Sequence, residues 1–204
     1  AHETKRVNDL HQAGYMHEEI LNSAALYAML PSLSPHCFGA SYAPGDGSAD
    51  PHLTVNAYRR AAEKTGVLLF EGHGVNALAS NGLEWRVDTD QGTFLAPSVV
   101  IAAGAWSAAV AGLAGENVPA GVKASMMTVT ERVEDFSGPV IGCVGAALSL
   151  KQTRIGSLLI GGGIQGQADV GRERSRVDFH SLATGMKTPL RLFPQLACVR
   201  IARC

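Results

Sequence analysis

The chain has 204 residues, of which 46% are hydrophobic and 17% are charged, and its net charge at pH 7 is −1. This composition is that of an ordinary globular protein, and it provides no basic excess to neutralise nucleic-acid phosphates. The apolar runs are far shorter than the roughly 20 residues that a membrane-spanning helix requires. The sequence therefore predicts neither a nucleic-acid partner nor a membrane span.

The N-terminus and the cysteines add two expectations. The chain begins with Ala1 instead of Met, and the charged residues behind it are not followed by an apolar segment. We therefore expect that the numbering starts inside a longer parent, with no visible signal peptide. The four cysteines show no paired Cys or His spacing, which favours reduced thiols in a cytoplasmic protein and predicts no metal site.

The N-terminal part of the chain is predicted to be mainly helical. Apolar spacing indicates helical pieces over residues 2–30 that are broken at Gly14. Asn22 or Ser23 is suited to cap the second piece, because both side chains accept hydrogen bonds from free helix N–H groups. A short strand is predicted over residues 38–43.

Residues 44–117 carry an α/β pattern. Asp50 as a cap and Pro51 at the first helical position predict a helix that ends at Gly66. The dipeptide Asn81-Gly82 is a favoured hairpin turn between strands. The strands predicted here cover residues 67–70, 74–79, 84–89, 94–95 and a buried, β-branched segment at 98–103, followed by a helix over 106–114.

From residue 118 the pattern changes to short strands joined by Gly and Pro turns, which is typical of an antiparallel sheet. The predicted elements are strands over 122–133, 140–144, 147–153, 157–160 and 197–202, and a helix over about 177–187. The sequence thus predicts an α/β (α+β) fold of two interleaved domains. One consists of residues 1–43 and 118–204, and the other of residues 44–117.

The run Gly161–Gly166 matches the G-x-G-x-x-G dinucleotide pattern and follows a predicted strand. Such glycines allow a helix N-terminus to approach a pyrophosphate. The residues that follow are charged and interrupted by Gly171, whereas a Rossmann helix shows small apolar residues. We therefore favour the alternative, a glycine-rich strand end where the backbone passes close to another group.

Several segments are similar to one enzyme family. Ala96–Ser107 reads APSVVIAAGAWS and resembles a segment of the D-amino-acid oxidase superfamily of FAD enzymes. Tyr42–Pro51 looks like the family's link into the helix before its central hairpin, and residues 67–89 resemble the passage that follows. Leu148–Gly162 and Leu192–Ala197 are similar to a narrower group, the flavin subunits of hydrogen cyanide synthase, opine oxidase and D-hydroxyproline dehydrogenase.

The resemblance covers roughly residues 20 to 204, and it implies an FAD-dependent oxidoreductase that acts on an amino acid or a secondary amine. A hydride would pass from Cα–H to flavin N5, and the resulting imine would be hydrolysed in water. The narrower group favours a dehydrogenase with a separate electron acceptor and with other subunits as partners. Two alternatives stay open: a glycine, sarcosine or D-amino-acid oxidase that uses oxygen, and a non-catalytic scaffold or subunit-contact module.

The resemblance also implies which residues contact the cofactor. Residues 44–117 would be part of the FAD-binding domain. Val75 matches a position whose backbone touches the adenine. The turn near the adenosine and pyrophosphate is matched by Ala102, Ala103, Gly104 and Trp106.

Residues 1–43 and 118–204 would belong to the substrate domain. Side chains alternate along the strand predicted over 147–153, which puts three polar side chains on one face: Ser149, Lys151 and Thr153. A fourth candidate, Arg203, matches the Arg of the family's C-terminal motif. Relatives often carry Tyr where Ser149 stands, and Lys151 is open to being a solvated or salt-bridged strand residue instead. In relatives, the strand that corresponds to Ala147–Thr153 borders the substrate cavity. Met126 and Met127 are candidates to line that cavity or to pack in the core. No catalytic residue is assigned, because the chemistry needs no strong acid–base pair.

Two departures from the family pattern affect the cofactor. The family's N-terminal strand and glycine loop would precede Ala1, and only the opening of its C-terminal segment is present, as Ile201–Cys204. Without these parts the pyrophosphate lacks a helix N-terminus and the flavin lacks one wall. We therefore expect the polypeptide as given to bind FAD weakly or not at all and to be inactive alone.

Overall fold

The computed structural model describes residues 2–134, 136 and 138–204. The contacts between them divide the chain into two compact units. The first unit runs to Ser48 and also holds Ala124–Gln167 and Arg176–Cys204, and the second consists of Ala49–Lys123 and Ala168–Ser175. Both mix helices with antiparallel sheets, so the predicted fold class is confirmed. The assignment of the units to FAD-binding and substrate domains stays a prediction.

The first unit opens with two helices, α1 (His2–Gln12) and α2 (Ser23–Met29). Between them lies the strand β1 (Glu19–Asn22), where the sequence predicted only helix. The Asn22 side chain accepts a hydrogen bond of 2.9 Å from the Ala25 N–H and so caps α2, as expected. Among the described residues, no helix is both long and apolar enough to cross a bilayer.

The strand β1 forms because it pairs antiparallel with β2 (Gly39–Tyr42), the strand predicted over residues 38–43. A Cβ atom at Gly39 would lie 2.5 Å from the Leu21 carbonyl oxygen. Only glycine permits this close approach, and local helical spacing does not reveal such a non-local pairing.

The second unit contains α3 (Pro51–Lys64), β3 (Val75–Ser80), β4 (Trp85–Thr89), β5 (Gly92–Ala96) and α4 (Ser107–Leu113). The Asp50 side chain caps α3 by accepting from the Leu53 N–H at 3.0 Å, and Gly66 follows the helix in a left-handed conformation. The three strands form an antiparallel meander in the order β3-β4-β5, and α4 packs against β3. The predicted helices and hairpin are therefore confirmed.

Two predicted strands of this region do not form. The segments 67–70 and 98–103 have no strand assignment, and Leu68 and Val100 are 77% and 88% exposed. A strand exists only through hydrogen bonds to a neighbouring strand, and neither segment has such a partner in the part of the chain that the structure describes. The prediction of a buried strand at 98–103 is therefore wrong for this chain.

The remaining strands are β6 (Thr128–Arg132), β7 (Ile141–Cys143), β8 (Ala146–Gln152), β9 (Ser157–Gly161), β10 (Gln167–Asp169) and β11 (Arg174–Arg176). They are followed by α5 (Phe179–Gly185), α6 (Lys187–Leu192) and β12 (Ile201–Arg203). Five strands form an antiparallel sheet in the order β12-β6-β9-β8-β7, as the short strands predicted. The two-stranded sheet of β10 and β11 was not predicted. The last strand was predicted over 197–202 but begins only at Ile201, because Pro194–Cys198 forms a 3-10 helix.

One face of the five-stranded sheet forms the core of the first unit. The buried cluster consists of Leu148, Leu150, Leu158, Ile160, Phe193 and Leu196. The first four come from β8 and β9, and Phe193 follows α6. Since side chains alternate along a strand, burial of this face leaves the odd-numbered residues of β8 on the opposite one.

The glycine run at the end of β9 serves the sheet. No helix follows it directly, because β10 begins at Gln167. A Cβ at Gly162 would lie 2.4 Å from the Leu148 backbone nitrogen, and one at Gly161 would lie 3.0 Å from Met127 Cε. The run is thus a strand end with close backbone approach, as we favoured, and not a phosphate loop.

Replacing Gly162 by Ala should destabilise the first unit more than replacing Gly163 by Ala. Both glycines have positive φ, at +124° and +90°, but an added Cβ at Gly163 meets no atom within 4 Å. We expect the unfolding free energy of Gly162→Ala to be lower by about 1–3 kcal/mol than that of Gly163→Ala, the usual cost of overpacking. Urea denaturation followed by circular dichroism measures both, and equal losses would contradict the close approach.

Candidate functional site

The AAGAW corner, residues 102–106, lies on the surface of the second unit. A 3-10 turn covers Gly104–Trp106, and the Trp106 N–H donates to the Ala103 carbonyl at 3.0 Å. Gly104 has a φ of +54°, and an added Cβ would meet no heavy atom within 4 Å. Trp106 is 44% exposed. The corner is therefore open and is not packed against its own protein.

Val75 belongs to the same unit as the corner. It is the first residue of β3, is 38% exposed and pairs with Thr89. Immediately before it, the Gly74 N–H donates to the Asp90 carboxylate at 3.0 Å. The other four predicted cofactor residues lie in the corner directly before α4, and α4 packs against β3, the strand that begins with Val75.

These residues fit the adenosine part of FAD. The corner contains no ionised side chain, and the space beside Gly104 is free of protein atoms. An uncharged base and ribose need such an open surface of small residues, because glycine and alanine let the backbone approach a ligand closely.

The open face of the five-stranded sheet carries two of the predicted substrate residues side by side. Ser149 is exposed and Lys151 is partly buried, whereas Leu148 and Leu150 between them are buried on the core side. The predicted alternation of β8 is confirmed for these residues. Their contact with a substrate stays a prediction.

Cross-strand pairing extends this face towards Arg203. Lys151 pairs with Leu159, Leu159 with Val129, and Val129 with Arg203. The register of β12 shifts between Ile201, which pairs with Thr130, and Arg203, so these two residues need not share a face. The row therefore crosses four strands, which at about 4.8 Å per strand separates the two cations by roughly 14 Å of sheet. We call Arg203, Val129, Leu159 and Lys151 the cationic row.

A second row lies beside the cationic row. Ser149 pairs with Gly161, and Met127 is so near to Gly161 that any Cβ there would be crowded. Met127 is 47% exposed, so it borders the open face and does not fill the core. The sequence could not rank Met127 above Met126, because both fit either role.

Thr153 does not extend the open face. It follows the last residue of β8 and lies in the turn to β9, where its hydroxyl donates to the Ser157 carbonyl at 3.0 Å. The structure thus brings together Ser149, Lys151 and Arg203 on one sheet and gives Thr153 a bond within the turn.

In the described part of the chain, the cationic row has no acidic partner. Among the side chains that the structure describes, neither Lys151 nor Arg203 is in an ion pair. The Glu131 carboxylate accepts a hydrogen bond of 2.9 Å from the backbone N–H of Arg200. An uncompensated pair of cations over apolar Leu159 and Val129 is suited to bind an organic carboxylate. In the described residues no group of His, Cys, Asp and Glu has the makings of a metal site.

The side chain of Gln152, at the end of β8, hydrogen-bonds to the backbone of neighbouring segments, a role that the sequence did not predict. Its side chain accepts from the Phe136 N–H at 2.7 Å and donates to the carbonyls of Glu134 and Gly156 at 2.9 and 3.2 Å. Phe136 in turn contacts Phe193, with ring centroids 4.9 Å apart. A single polar residue in a strand carries no sequence signal for such a role.

A broad cleft of about 920 Å³ lies elsewhere in the first unit. Its walls include Glu18 and the segments 41–48 and 138–140. Two hydrogen bonds from the Arg6 guanidinium, at 2.9 and 2.5 Å, hold the pKa of the Glu18 carboxyl below its usual range. This carboxylate is therefore engaged by Arg6 and is not free for a ligand.

The chain is similar to known proteins over its whole length. All residues from 1 to 204 match the family model described as DAO, FAD dependent oxidoreductase. Mitochondrial sarcosine dehydrogenase of Homo sapiens is 31% identical over 65% of this chain and 15% of its own length. Glycine oxidase of Geobacillus kaustophilus is 41% identical over 34% of this chain and 19% of its own length.

Solved structures share the fold. L-proline dehydrogenase from P. horikoshii has a TM-score of 0.85 at 21% identity, covering 98% of this chain and 55% of that one. Glycine oxidase from Geobacillus kaustophilus has a TM-score of 0.73 at 22% identity, covering 91% of this chain and 49% of that one. This chain thus spans about half the length of these structures and 15% of sarcosine dehydrogenase. Since the family model matches the entire chain, the protein belongs to the DAO family of FAD-dependent oxidoreductases.

Proposed function

We propose that the whole protein oxidises the CH–NH or CH–NH₂ group of an amino acid or secondary amine that carries a carboxylate. The observation that carries this proposal is the cationic row, with Lys151 and Arg203 on either side of Leu159 and Val129. The names of the relatives agree with such a substrate, since sarcosine, glycine and proline are all amino acids with a free carboxylate.

The residues of the open face have distinct roles in this proposal. Because their backbone positions are about 14 Å apart, Arg203 and Lys151 reach one carboxylate by extending their long side chains toward each other. They bind and orient it through charge-assisted hydrogen bonds. Leu159, Val129 and Met127 present an apolar surface that excludes water from the substrate carbon. Ser149 offers a hydroxyl for a polar substituent. No proton-transferring side chain is assigned, which suits a reaction whose chemistry belongs mostly to the cofactor.

The cofactor proposal concerns the second unit. Bound FAD would supply the acceptor for the hydride that leaves the substrate Cα. The residues proposed to hold its adenosine part are Val75, Ala102, Ala103, Gly104 and Trp106. The open, uncharged corner around Gly104 supports this assignment.

We favour a dehydrogenase over an oxidase, with the oxidase as the second candidate. Both kinds of enzyme occur among the relatives, as sarcosine dehydrogenase and glycine oxidase. Oxygen consumption by the whole protein, compared with reduction of an artificial dye, distinguishes them. A colourless protein that gains no flavin absorbance after FAD is added would favour a non-catalytic module instead.

Partners and location are further proposals. Sarcosine oxidase subunit beta of Arthrobacter sp. is 28% identical over 81% of this chain, which supports a heteromeric assembly with other subunits. The cysteines Cys37, Cys143, Cys198 and Cys204 are free, which supports a reducing compartment such as the cytoplasm.

Replacing either cation of the row by Met should weaken substrate binding. A charge-assisted hydrogen bond contributes about 1.5–3 kcal/mol, so Lys151→Met or Arg203→Met should lower kcat/KM by roughly 10- to 100-fold, mainly through KM. The measurement uses the FAD-loaded whole protein with L-proline and with pyrrolidine, the same ring without the carboxylate.

The control is Arg154→Met, which removes an exposed cation from the turn after β8 and should leave both substrates unaffected. The loss in the row variants should be confined to the substrate with a carboxylate. An equal loss for pyrrolidine, or no loss for either substrate, would contradict carboxylate binding by the row.

Adding a side chain at Gly104 should weaken FAD binding, because the corner would no longer lie against the nucleotide. Gly104→Val also strains the left-handed backbone, so Gly104→Asn is the sharper variant: Asn tolerates positive φ while adding bulk. We expect both variants of the whole protein to lose most of their bound FAD, measured by flavin absorbance per folded protein. The matched control Gly121→Val, at an open site of the same unit, should keep its flavin, and full retention in Gly104→Asn would refute the assignment.

A further inference from the structure

A small crevice lies under the helices on the core side of the five-stranded sheet, and its volume is about 150 Å³. Thr128 from β6 and Ile160 from β9 form its floor, at 1% and 3% exposure. Leu190 of α6 and Ile201 of β12 are at its mouth, where they are 37% and 50% exposed.

The crevice is separate from the cationic row. Thr128 pairs with Ile160, and Ile160 pairs with Leu150 of the buried cluster. These residues alternate with Val129, Leu159 and Lys151, and therefore face the other side of the sheet.

The Thr128 hydroxyl has no hydrogen-bond partner among the residues that the structure describes. It is buried at the floor of the crevice, so it also lacks contact with bulk solvent. A buried hydroxyl that makes no hydrogen bond bears the full cost of its desolvation. Valine has nearly the same shape and would avoid this cost.

Thr130 shows how a structural threonine of the same strand face behaves. Its hydroxyl accepts from the Leu158 N–H at 3.0 Å and donates to the Glu131 carbonyl at 2.7 Å. It thereby replaces a ladder bond at the irregular pairing of β6 with β9. The Thr128 hydroxyl makes no such hydrogen bond to the described part of the sheet. Its position therefore points to a partner from outside the chain.

The shape and the lining of the crevice define that partner. The remaining lining residues are Thr130, whose hydroxyl is already engaged within the sheet, and the apolar Met186, Pro189, Leu196, Ala197 and Val199. None of the lining side chains is charged, so the ligand should be uncharged and mainly apolar. A volume near 150 Å³ is that of a cavity known to hold benzene, about one six-membered ring. We propose that the crevice binds a small neutral molecule of this size whose single oxygen exchanges a hydrogen bond with Thr128 Oγ1.

Phenol and toluene are matched probes, since they differ only in one polar group. Titration of the whole protein, followed by calorimetry or ligand-observed NMR, should show phenol binding more tightly than toluene. Thr128→Val should weaken phenol at least fivefold and leave toluene nearly unchanged. Thr184→Val, which removes an exposed hydroxyl from α5 of the same unit, should change neither affinity.

A second variant locates the binding independently of Thr128. Ala197→Leu adds bulk to the wall of the crevice and should abolish binding of both probes. The proposal is overturned if phenol does not bind the unmodified protein, as it would be if only water entered the crevice. It is also overturned if either variant, Thr128→Val or Ala197→Leu, binds phenol as tightly as the unmodified protein does, because the probe would then not contact that residue.

Discussion

The register between β8 and β9 divides the central sheet into two chemically different faces. Paired residues of an antiparallel ladder share a face, so the pairing of Leu150 with Ile160 fixes the pairing of Lys151 with Leu159. A slip by one residue would turn Lys151 into the apolar cluster and expose the leucines. The burial of Phe193 against the apolar face therefore helps to keep Lys151 on the other face.

The two units differ in how much core they possess. In the described part of the second unit, the buried apolar residues are Leu78 and Ala111, and α3 has none. Within this chain, apolar burial therefore contributes little to the stability of the second unit. A ligand that binds only the folded form adds stability by mass action, so cofactor binding and folding of this unit should be closely linked in the whole protein.

Local chemistry explains which elements the sequence could predict. The two helix caps and the hairpin turn depend only on backbone groups a few residues away. The structure has each of them where the sequence predicted it: Asp50 with Pro51, Asn22, and Asn81-Gly82. The strand β1 could not be predicted, since it depends on Gly39 about twenty residues away. The β-branched run at 98–103 is typical of a buried strand, but burial needs a partner ladder that residue type cannot supply.

In the candidate site, too, the features set by neighbouring residues could be predicted and those set by distant strands could not. Alternation along β8 was enough to put Ser149 and Lys151 on one face. Bringing Arg203 into the same row required the order of four strands, which a single sequence does not reveal. Thr153 was expected beside Lys151 because alternation was extended one residue beyond the last residue of β8, into a turn whose own hydrogen bonds occupy the hydroxyl.

The distribution of indole rings gives the two units separate optical signatures. The chain has two tryptophans, and both Trp85 of β4 and Trp106 of the AAGAW corner belong to the second unit. Tryptophan fluorescence, excited selectively at the long-wavelength edge of the protein absorption band, therefore reports within this chain on the second unit alone. The five-stranded sheet is silent in this signal, so melting of one unit without the other is directly visible in a single sample.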